Sequence, residues 1–294
     1  MVTVGGSPPL CRLLRCVLVS HDAARLATFY EQALGCRPVA RVHRAGAAFA
    51  TAMGVAGGAL SITLELGAQR IELLQFALPG RPYPAGTLAS DLLFQHCAVV
   101  VRDMREAFHR LSAVGGWTAI SRHGPQRLPV SSGGVTAFKF RDPEGHPLEL
   151  LAFPAAGLPA HWRQAPHSDP CLGIDHTAIS VADGAASVAF YQALGLRVAG
   201  ASTNAGAEQA SLDGLPGPQV EVTALAAEQA TPHLELLCYR RTQPGVPADV
   251  GPSDIAATRL LWQARSVPGP RSRAGDPQAL VDPDGHRLLL VAAC

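Results

Sequence analysis

The sequence predicts an α+β protein built from four units, each with a strand, a helix and about three further strands, of which the fourth unit is degenerate. Strand-like runs followed by helical patterns recur along the chain. The turn Asp-Pro-x-Gly-His occurs twice, at residues 142–146 and 282–286. In three units the expected helix cap lies seven residues after one fixed strand position: Arg15 to Asp22, His96 to Asp103, and His176 to Asp183.

The first unit starts with a strand over residues 13–20 and continues with a helix after Asp22. Apolar side chains follow Asp22 at helical spacing until Gly35, where a residue that tolerates positive φ favours a helix end. We expect a further strand within residues 39–53 and strands at residues 60–66 and 70–76.

The second and third units repeat this pattern, with helices that begin after Asp103 and Asp183 and end before Gly115 and Gly195. The fourth unit keeps an opening strand and the last hairpin, but its capped helix is absent. The expected strands lie at residues 94–101, 118–120, 135–140, 148–153, 174–181, 197–201, 207–212, 220–224, 233–239 and 258–265, and the last hairpin lies at residues 279–291.

Length and composition predict two globular domains. The 294 residues are 48% apolar and 16% charged, and a domain typically takes about 150 residues. We place the first two units in an N-terminal domain, residues 1–155, and the last two in a C-terminal domain, residues 172–294. A stretch rich in Pro, His and Gly, residues 156–171, links them.

Charge and hydropathy exclude several classes of partner. The net charge is +1 and no block of like charges occurs, so we expect no binding to nucleic acid. No apolar run reaches membrane-spanning length, and the first residues lack the order of a signal peptide. The seven cysteines form no CxxC pair, which favours reduced thiols. We expect a cytoplasmic monomer or homodimer that acts on a small-molecule substrate.

Polar residues recur at two positions of each unit. One is the strand residue seven before the helix cap, and the other is an acid within an otherwise apolar final strand, such as Leu148-Glu149-Leu150. Burying such an acid is costly unless a cation accompanies it. The pairs are Arg15 with Glu72, His96 with Glu149, and His176 with Glu235, whereas the fourth pair has no histidine and has Leu289 in place of the acid.

Imidazole and carboxylate are ligands of Zn, Ni, Co, Mn and Fe(II), and strands bring ligands from separate segments onto one concave face. A single histidine in a strand more often forms an ordinary buried hydrogen bond. Two histidines and two glutamates at repeat-equivalent positions favour a divalent metal site instead.

The motifs His-x₆-Asp, Phe-Tyr-x-x-Leu-Gly and Asp-Pro-x-Gly-His-x-Leu-Glu resemble the vicinal oxygen chelate superfamily, which includes glyoxalases, bleomycin resistance proteins and extradiol dioxygenases. The resemblance spans residues 13–292. It implies paired βαβββ modules in two curled mixed sheets, each forming a cup around a divalent metal. Ligands would come from the first and last strands of two paired modules.

Two pairings of the units remain open. If the second and third units share a cup, the metal ligands are His96, Glu149, His176 and Glu235. If the first and second share it, the set is Glu72, His96 and Glu149. We favour the first pairing because it concentrates the lost ligands in one cup, where Arg15 and Glu72 would form a salt bridge.

The resemblance implies a metal-dependent lyase, isomerase or epimerase of glyoxalase type for a small substrate with vicinal oxygens. Glu149 or Glu235 would then also act as the catalytic base. Two alternatives stay open: a ring-cleaving dioxygenase of extradiol type with Fe(II), and a metal-free protein that binds a drug-like ligand.

Overall fold

The computed structural model describes residues 9–164, 170–229, 231–240, 245, 249–265 and 277–292. These residues form two open, mixed β-sheets of seven and nine strands, and the main apolar core includes helical residues and residues of both sheets. Among them no helix combines the length and apolarity that a membrane span requires. The predicted α+β class with two mixed sheets is confirmed.

The first unit begins and ends as predicted, but its middle contains an unexpected helix. Asp22 caps the first helix by accepting from the Arg25 backbone N–H, and Gly35 ends it at φ 78°. The strand expected within residues 39–53 is present at Arg37–Arg44, and the Ala-rich residues between Gly46 and Gly54 form a helix after it. The elements are β1 (Leu10–Val19), α1 (Ala23–Leu34), β2 (Arg37–Arg44), α2 (Ala47–Met53), β3 (Ala59–Leu66) and β4 (Gln69–Phe76).

The second unit matches its predicted pattern closely. Asp103 caps its helix, which ends at Ser112, before the expected glycine stop. The elements are β5 (Phe94–Val101), α3 (Met104–Ser112), β6 (Thr118–Ala119), β7 (Gln126–Arg127), β8 (Thr136–Arg141) and β9 (Pro147–Ala152), followed by the short helix α4 (Ala160–Arg163) within the expected linker.

In the third unit, the strand predicted at residues 207–212 is wrong. Gly206 and Gly214 flank a helix there, which contains the helix-favouring residues Ala, Glu and Gln. The expectation that the fourth unit lacks a helix concerns residues 266–276, which lie outside the described residues. The elements are β10 (Cys171–Ser180), α5 (Gly184–Ala193), β11 (Arg197–Ala205), α6 (Ala207–Asp213), β12 (Gln219–Ala226), β13 (His233–Tyr239), β14 (Arg259–Ala264), β15 (Gln278–Val281) and β16 (Arg287–Ala292).

The sheet order shows which units share a sheet. The seven-stranded sheet runs β15-β16-β14-β1-β4-β3-β2, and the nine-stranded sheet runs β11-β12-β13-β10-β5-β9-β8-β6, with β7 also paired to β8. At the two centres, β1 lies antiparallel to β14 and β5 lies antiparallel to β10. The first and fourth units therefore share one sheet and the second and third share the other, which confirms the favoured pairing.

The repeated Asp-Pro turns connect the two sheets through buried tyrosines. Tyr30 of α1 donates its hydroxyl to Asp142 Oδ2 at 3.1 Å, and Asp142 belongs to the turn between β8 and β9. In the second copy, Tyr191 of α5 donates to Asp282 Oδ2 at 3.0 Å. Each helix lies on one sheet and each turn belongs to the other, so these bonds hold the sheets together.

The acid at the third position of each turn supports the start of a helix in the opposite sheet. Glu144 accepts from the backbone N–H groups of His21 and Asp22 at 3.0 Å each, and Asp284 accepts from the Ala182 N–H at 3.1 Å. Carboxylates at the positive end of a helix are stabilising. The identical spacing of the two copies of the turn motif thus has a structural explanation.

We expect Tyr30→Phe to lower the free energy of unfolding by about 1–2 kcal/mol, because Asp142 is buried and would lose a hydrogen-bond donor. Urea denaturation measures this change. Tyr191→Phe is the matched variant and should lose a similar amount, with additive losses in the double variant because the two links share no residue. Unchanged urea midpoints would show that the two links contribute nothing to stability.

Candidate metal centre

Four predicted ligands converge on one face of the nine-stranded sheet. His96 pairs across β5 and β10 with Ala178, and His176 pairs with Ala98. Since cross-strand partners share a face, both imidazoles lie on the same side, beside alanines that leave room for them. Glu149 pairs with Ala98 and Glu235 pairs with Ala178, which places both carboxylates on this side as well.

Donor atoms of His96, Glu149 and His176 all lie within 4.8 Å of one another, and Glu235 reaches this group through His176. His96 Nε2 is 3.0 Å from His176 Nε2 and 3.2 Å from Glu149 Oε2. His176 Nε2 is 3.7 Å from Glu149 Oε2 and 3.5 Å from Glu235 Oε2. Both histidines and Glu149 are almost completely buried, and the Glu235 side chain is 20% exposed.

The strands carry an extra residue immediately before each histidine. Gln95 on β5 and Asp175 on β10 have no Cα partner in the ladder between these two strands, so each forms a β-bulge. Gln95 Oε1 contacts His96 Nδ1, and Asp175 Oδ2 lies 3.0 Å from His176 Nδ1. With Nδ1 as the hydrogen-bond donor to these acceptors, Nε2 of each ring presents its lone pair to the cluster.

These separations fit a shared divalent ion. Two ligand atoms about 2.1 Å from one metal lie about 3.0–3.4 Å apart at octahedral or tetrahedral angles. The distances from His176 Nε2 to the other three donor atoms, and from His96 Nε2 to Glu149 Oε2, are 3.0 to 3.7 Å and close to this range. Without a cation, two Nε2 lone pairs at 3.0 Å would repel each other unless one ring were protonated. The donor set therefore fits a divalent metal such as Zn, Ni, Co, Mn or Fe(II).

Mutual interactions shift the pKa values of the cluster. Burial opposes ionisation of Glu149, but His96, Lys139 and His176 together outweigh it, and the pKa of Glu149 falls to about 2. Glu235 is likewise buried, and His176 lowers its pKa to about 2. Burial alone would lower the pKa of His176, but Glu235 and Asp175 raise it to about 9. Burial lowers the pKa of His96, so that its neutral ring is favoured.

The cluster opens into a cavity of about 190 Å³ between the second and third units. This volume is below the about 300–1,000 Å³ of pockets for drug-sized ligands, so the cavity admits a compact molecule, and its walls combine apolar side chains with a few polar groups. The lining residues include His96, Glu149, His176 and Glu235 together with Leu128, Val135, Lys139, Leu151, Phe153, Asp175, Ser202, Asn204, Gln209, Val222 and Leu237.

The alternative ligand set is not brought together, because Glu72 lies in the seven-stranded sheet. There Arg15 Nε lies 2.7 Å from Glu72 Oε2, and Ser61 donates to Glu72 Oε1 at 2.6 Å. The salt bridge predicted between Arg15 and Glu72 is confirmed.

The residue at the fourth histidine position is Arg259. Leu261 pairs with Leu289 as Ala98 pairs with Glu149, so Leu261 and Ala98 occupy equivalent positions. Arg259 and His96 each lie two residues earlier on these strands and are therefore equivalent as well. Arg259 is fully buried and donates to backbone carbonyls of residues 53, 252 and 257. Apolar side chains cover the same face. In this sheet two arginines thus stand where the other sheet has histidines.

Sequence reasoning missed a buried ion pair beside the cluster. Lys139 of β8 lies 2.7 Å from Asp213 at the end of α6, and both are buried. The signal was available, because Lys139 interrupts the apolar run Ala137-Phe138-Lys139-Phe140 as Glu149 interrupts its own strand. The sequence does not predict that Gln95 and Asp175 orient the two imidazoles, because these contacts depend on β-bulges between distant strands.

Comparisons with known proteins agree with this architecture. The family model described as the Glyoxalase/Bleomycin resistance protein/Dioxygenase superfamily matches residues 12–150 and 173–262. Glyoxalase I from Zea mays superposes with a TM-score of 0.60 at 18% identity, covering 96% of this chain and 92% of that one. A proposed dioxygenase from Bacillus subtilis superposes with a TM-score of 0.58 at 12% identity, covering 97% and 86%. No curated protein matches the sequence.

The raised pKa of His176 predicts a pH dependence of the metal-free protein. A histidine whose folded pKa exceeds its unfolded value stabilises the fold fully below the unfolded pKa. That contribution is lost as the pH rises through the folded pKa. The free energy of unfolding of metal-free protein should therefore fall between pH 6.5 and 9.

Urea denaturation at a series of pH values, with chelator present, measures this fall. His176→Gln is the matched control, because it keeps a polar side chain but cannot bind the proton. Its stability should change much less over the same range, and equal slopes for both proteins would exclude His176 as the titrating group.

Proposed function

Because the chain belongs to the glyoxalase, bleomycin resistance protein and dioxygenase superfamily, we propose that it binds a divalent metal through His96, Glu149, His176 and Glu235. The observation that carries the proposal is the approach of two buried imidazole Nε2 atoms to 3.0 Å beside two carboxylates. The reaction is that of a lyase, isomerase or epimerase of glyoxalase type on a small substrate with vicinal oxygens.

Four protein ligands leave open coordination positions on an octahedral ion. When bound, the metal would supply a Lewis acid that polarises a substrate carbonyl and stabilises negative charge on its oxygen. The surrounding side chains exclude water and restrict the substrate to the cavity of about 190 Å³. Asp175 and Gln95 keep the imidazoles oriented during the reaction.

Glu235 is the better candidate for the catalytic base. Glu149 is enclosed between His96 and His176, with 6% of its side chain exposed. Glu235 has 20% of its side chain exposed, and its second oxygen lies 3.5 Å from His233 Nε2. A substrate carbon next to a carbonyl can therefore approach Glu235 more readily, and the carboxylate can take its proton.

Metal content tests the ligand set. Plasma mass spectrometry on tag-free protein should find roughly one divalent ion per chain in the wild type, and its loss in His176→Ala. Glu72→Ala is the matched control, because Glu72 occupies the equivalent strand position in the other sheet and should leave the metal content unchanged. Loss only in Glu72→Ala, or no metal in any sample, would overturn the proposal.

Proton abstraction tests the role of Glu235. Metal-loaded wild type should exchange the carbon-bound hydrogens of hydroxyacetone in deuterium oxide, followed by proton NMR. Glu235→Gln keeps the shape of the side chain but removes the base, so exchange should slow by about 10²–10⁴-fold. The measured metal content of the variant separates loss of the base from loss of the metal, and unchanged exchange in a metal-loaded variant would exclude Glu235.

One observation favours a second candidate function. His96, Glu149 and His176 alone form a group with two histidines and one carboxylate, the donor set of non-haem Fe(II) oxygenases. In a ring-cleaving dioxygenase, Glu235 would stay off the metal. Iron as the retained metal and oxygen uptake with catechols would support this function over the first.

A protein without metal that still binds apolar compounds would support the third reading, a binding protein.

A further inference from the structure

Lys139 is a buried cation beside the proposed metal ligands. It is 2% exposed, lies opposite Glu149 in the ladder between β8 and β9, and lines the same cavity. Among the described residues that line this cavity, it is the only lysine or arginine. A positive charge in such a place requires partners, because an isolated buried ammonium is strongly unfavourable.

Its principal partner is held firmly. Asp213 Oδ1 lies 2.7 Å from Lys139 Nζ. Asp213 Oδ2 accepts from Gln209 Nε2 at 2.6 Å and from the Tyr239 hydroxyl at 3.1 Å. Both oxygens of the carboxylate are therefore engaged, and Asp213 fixes the position of the ammonium at the cavity wall.

The backbone of Lys139 is fixed as well. Its N–H donates to Ser121 Oγ at 2.8 Å, and its carbonyl accepts from the N–H groups of Ile120 and Ser121. Ser121 Oγ in turn donates to the carbonyl of Leu212 on α6 at 2.9 Å. Strand β8 and helix α6 are thus joined around Lys139, and the side chain cannot withdraw from the cavity without breaking this arrangement.

The ammonium retains one donor for a ligand. An ammonium group has three N–H donors. Asp213 takes one, and Gln95 Oε1 lies 3.4 Å from Nζ and takes a second. The third has no acceptor among the described residues, and the open space next to Lys139 is the cavity.

We propose that Lys139 binds a carboxylate of the substrate, so that the cup selects small acids that carry vicinal oxygens as well. This inference rests on the proposed metal-binding function, in which Glu149 and Glu235 are engaged by the metal. Lys139 keeps its ion pair with Asp213 and offers its third N–H at the cavity wall, and charge-assisted hydrogen bonds are about twice as strong as neutral ones.

Two hydroxamates of the same shape test this subsite, by which we mean the carboxylate-binding position at Lys139. Malonomonohydroxamate and 3-methylbutanohydroxamate carry the same metal-binding group, but one ends in a carboxylate and the other in an isopropyl group. Calorimetric titration into protein loaded with its preferred divalent ion should give at least about tenfold tighter binding of the carboxylate. Equal affinities, or a preference for the isopropyl compound, would overturn the subsite.

A double variant assigns the preference to Lys139. Lys139→Met together with Asp213→Asn removes both buried charges without leaving either unpaired. The preference for the carboxylate should disappear, whereas the isopropyl compound should bind as before. The matched control is Arg240→Met with Glu221→Gln, which removes an exposed ion pair of the same sheet and should keep the preference.

The remaining outcomes are also decisive. If the ion pair only joins β8 to α6, the preference survives in the double variant and the proposal is wrong. If neither hydroxamate binds, the proposed metal centre is wrong, and so is the carboxylate site at Lys139. Binding of both compounds with equal affinity would instead contradict only the carboxylate site. Should the double variant not fold, Lys139→Gln takes its place, since a glutamine can still donate to Asp213 and must also lose the preference.

Discussion

The antiparallel pairing of β5 with β10 is the contact on which the candidate site depends. It brings His96 and His176 within 3.0 Å of each other, although eighty residues separate them in the chain. It also creates the bulges at Gln95 and Asp175 that orient the two rings. Neither half of the sheet has this geometry alone, because each supplies one histidine and one glutamate.

The two sheets solve the same electrostatic problem in different ways. Both bury a carboxylate in the last strand of a unit, and such a group requires a positive partner. In the seven-stranded sheet, Arg15 provides that charge from within the chain, and apolar side chains fill the surrounding space. In the nine-stranded sheet, two carboxylates share two imidazoles, of which His96 favours its neutral form, and an open cavity lies beside them. The carboxylate in the seven-stranded sheet is therefore neutralised by the chain itself, whereas the site in the nine-stranded sheet is suited to a cation from solution.

The sequence predicted the repeat, most of the strands and the four converging residues because each depends on local pattern. Helix caps such as Asp22 and acids within apolar strands such as Glu149 can be recognised in isolation. The sequence wrongly predicts a strand where α6 lies, because seven residues are too few for hydrophobic periodicity to distinguish a helix from a strand. The bulge at Asp175 and the partner of Lys139 depend on contacts between distant strands, which no local pattern specifies.

The crossed arrangement of the units has a consequence for how the chain folds. Strand β1 pairs with β14, so that Arg15 and Leu261 are partners across 246 residues of sequence. Contacts between such distant residues form slowly, because a long loop must close before they contribute. During synthesis the nine-stranded sheet can assemble while β1 still has a bare edge. Strand β1 therefore gains its second partner only after β14 has been synthesised, and until then its unpaired edge is open to aggregation or to a chaperone.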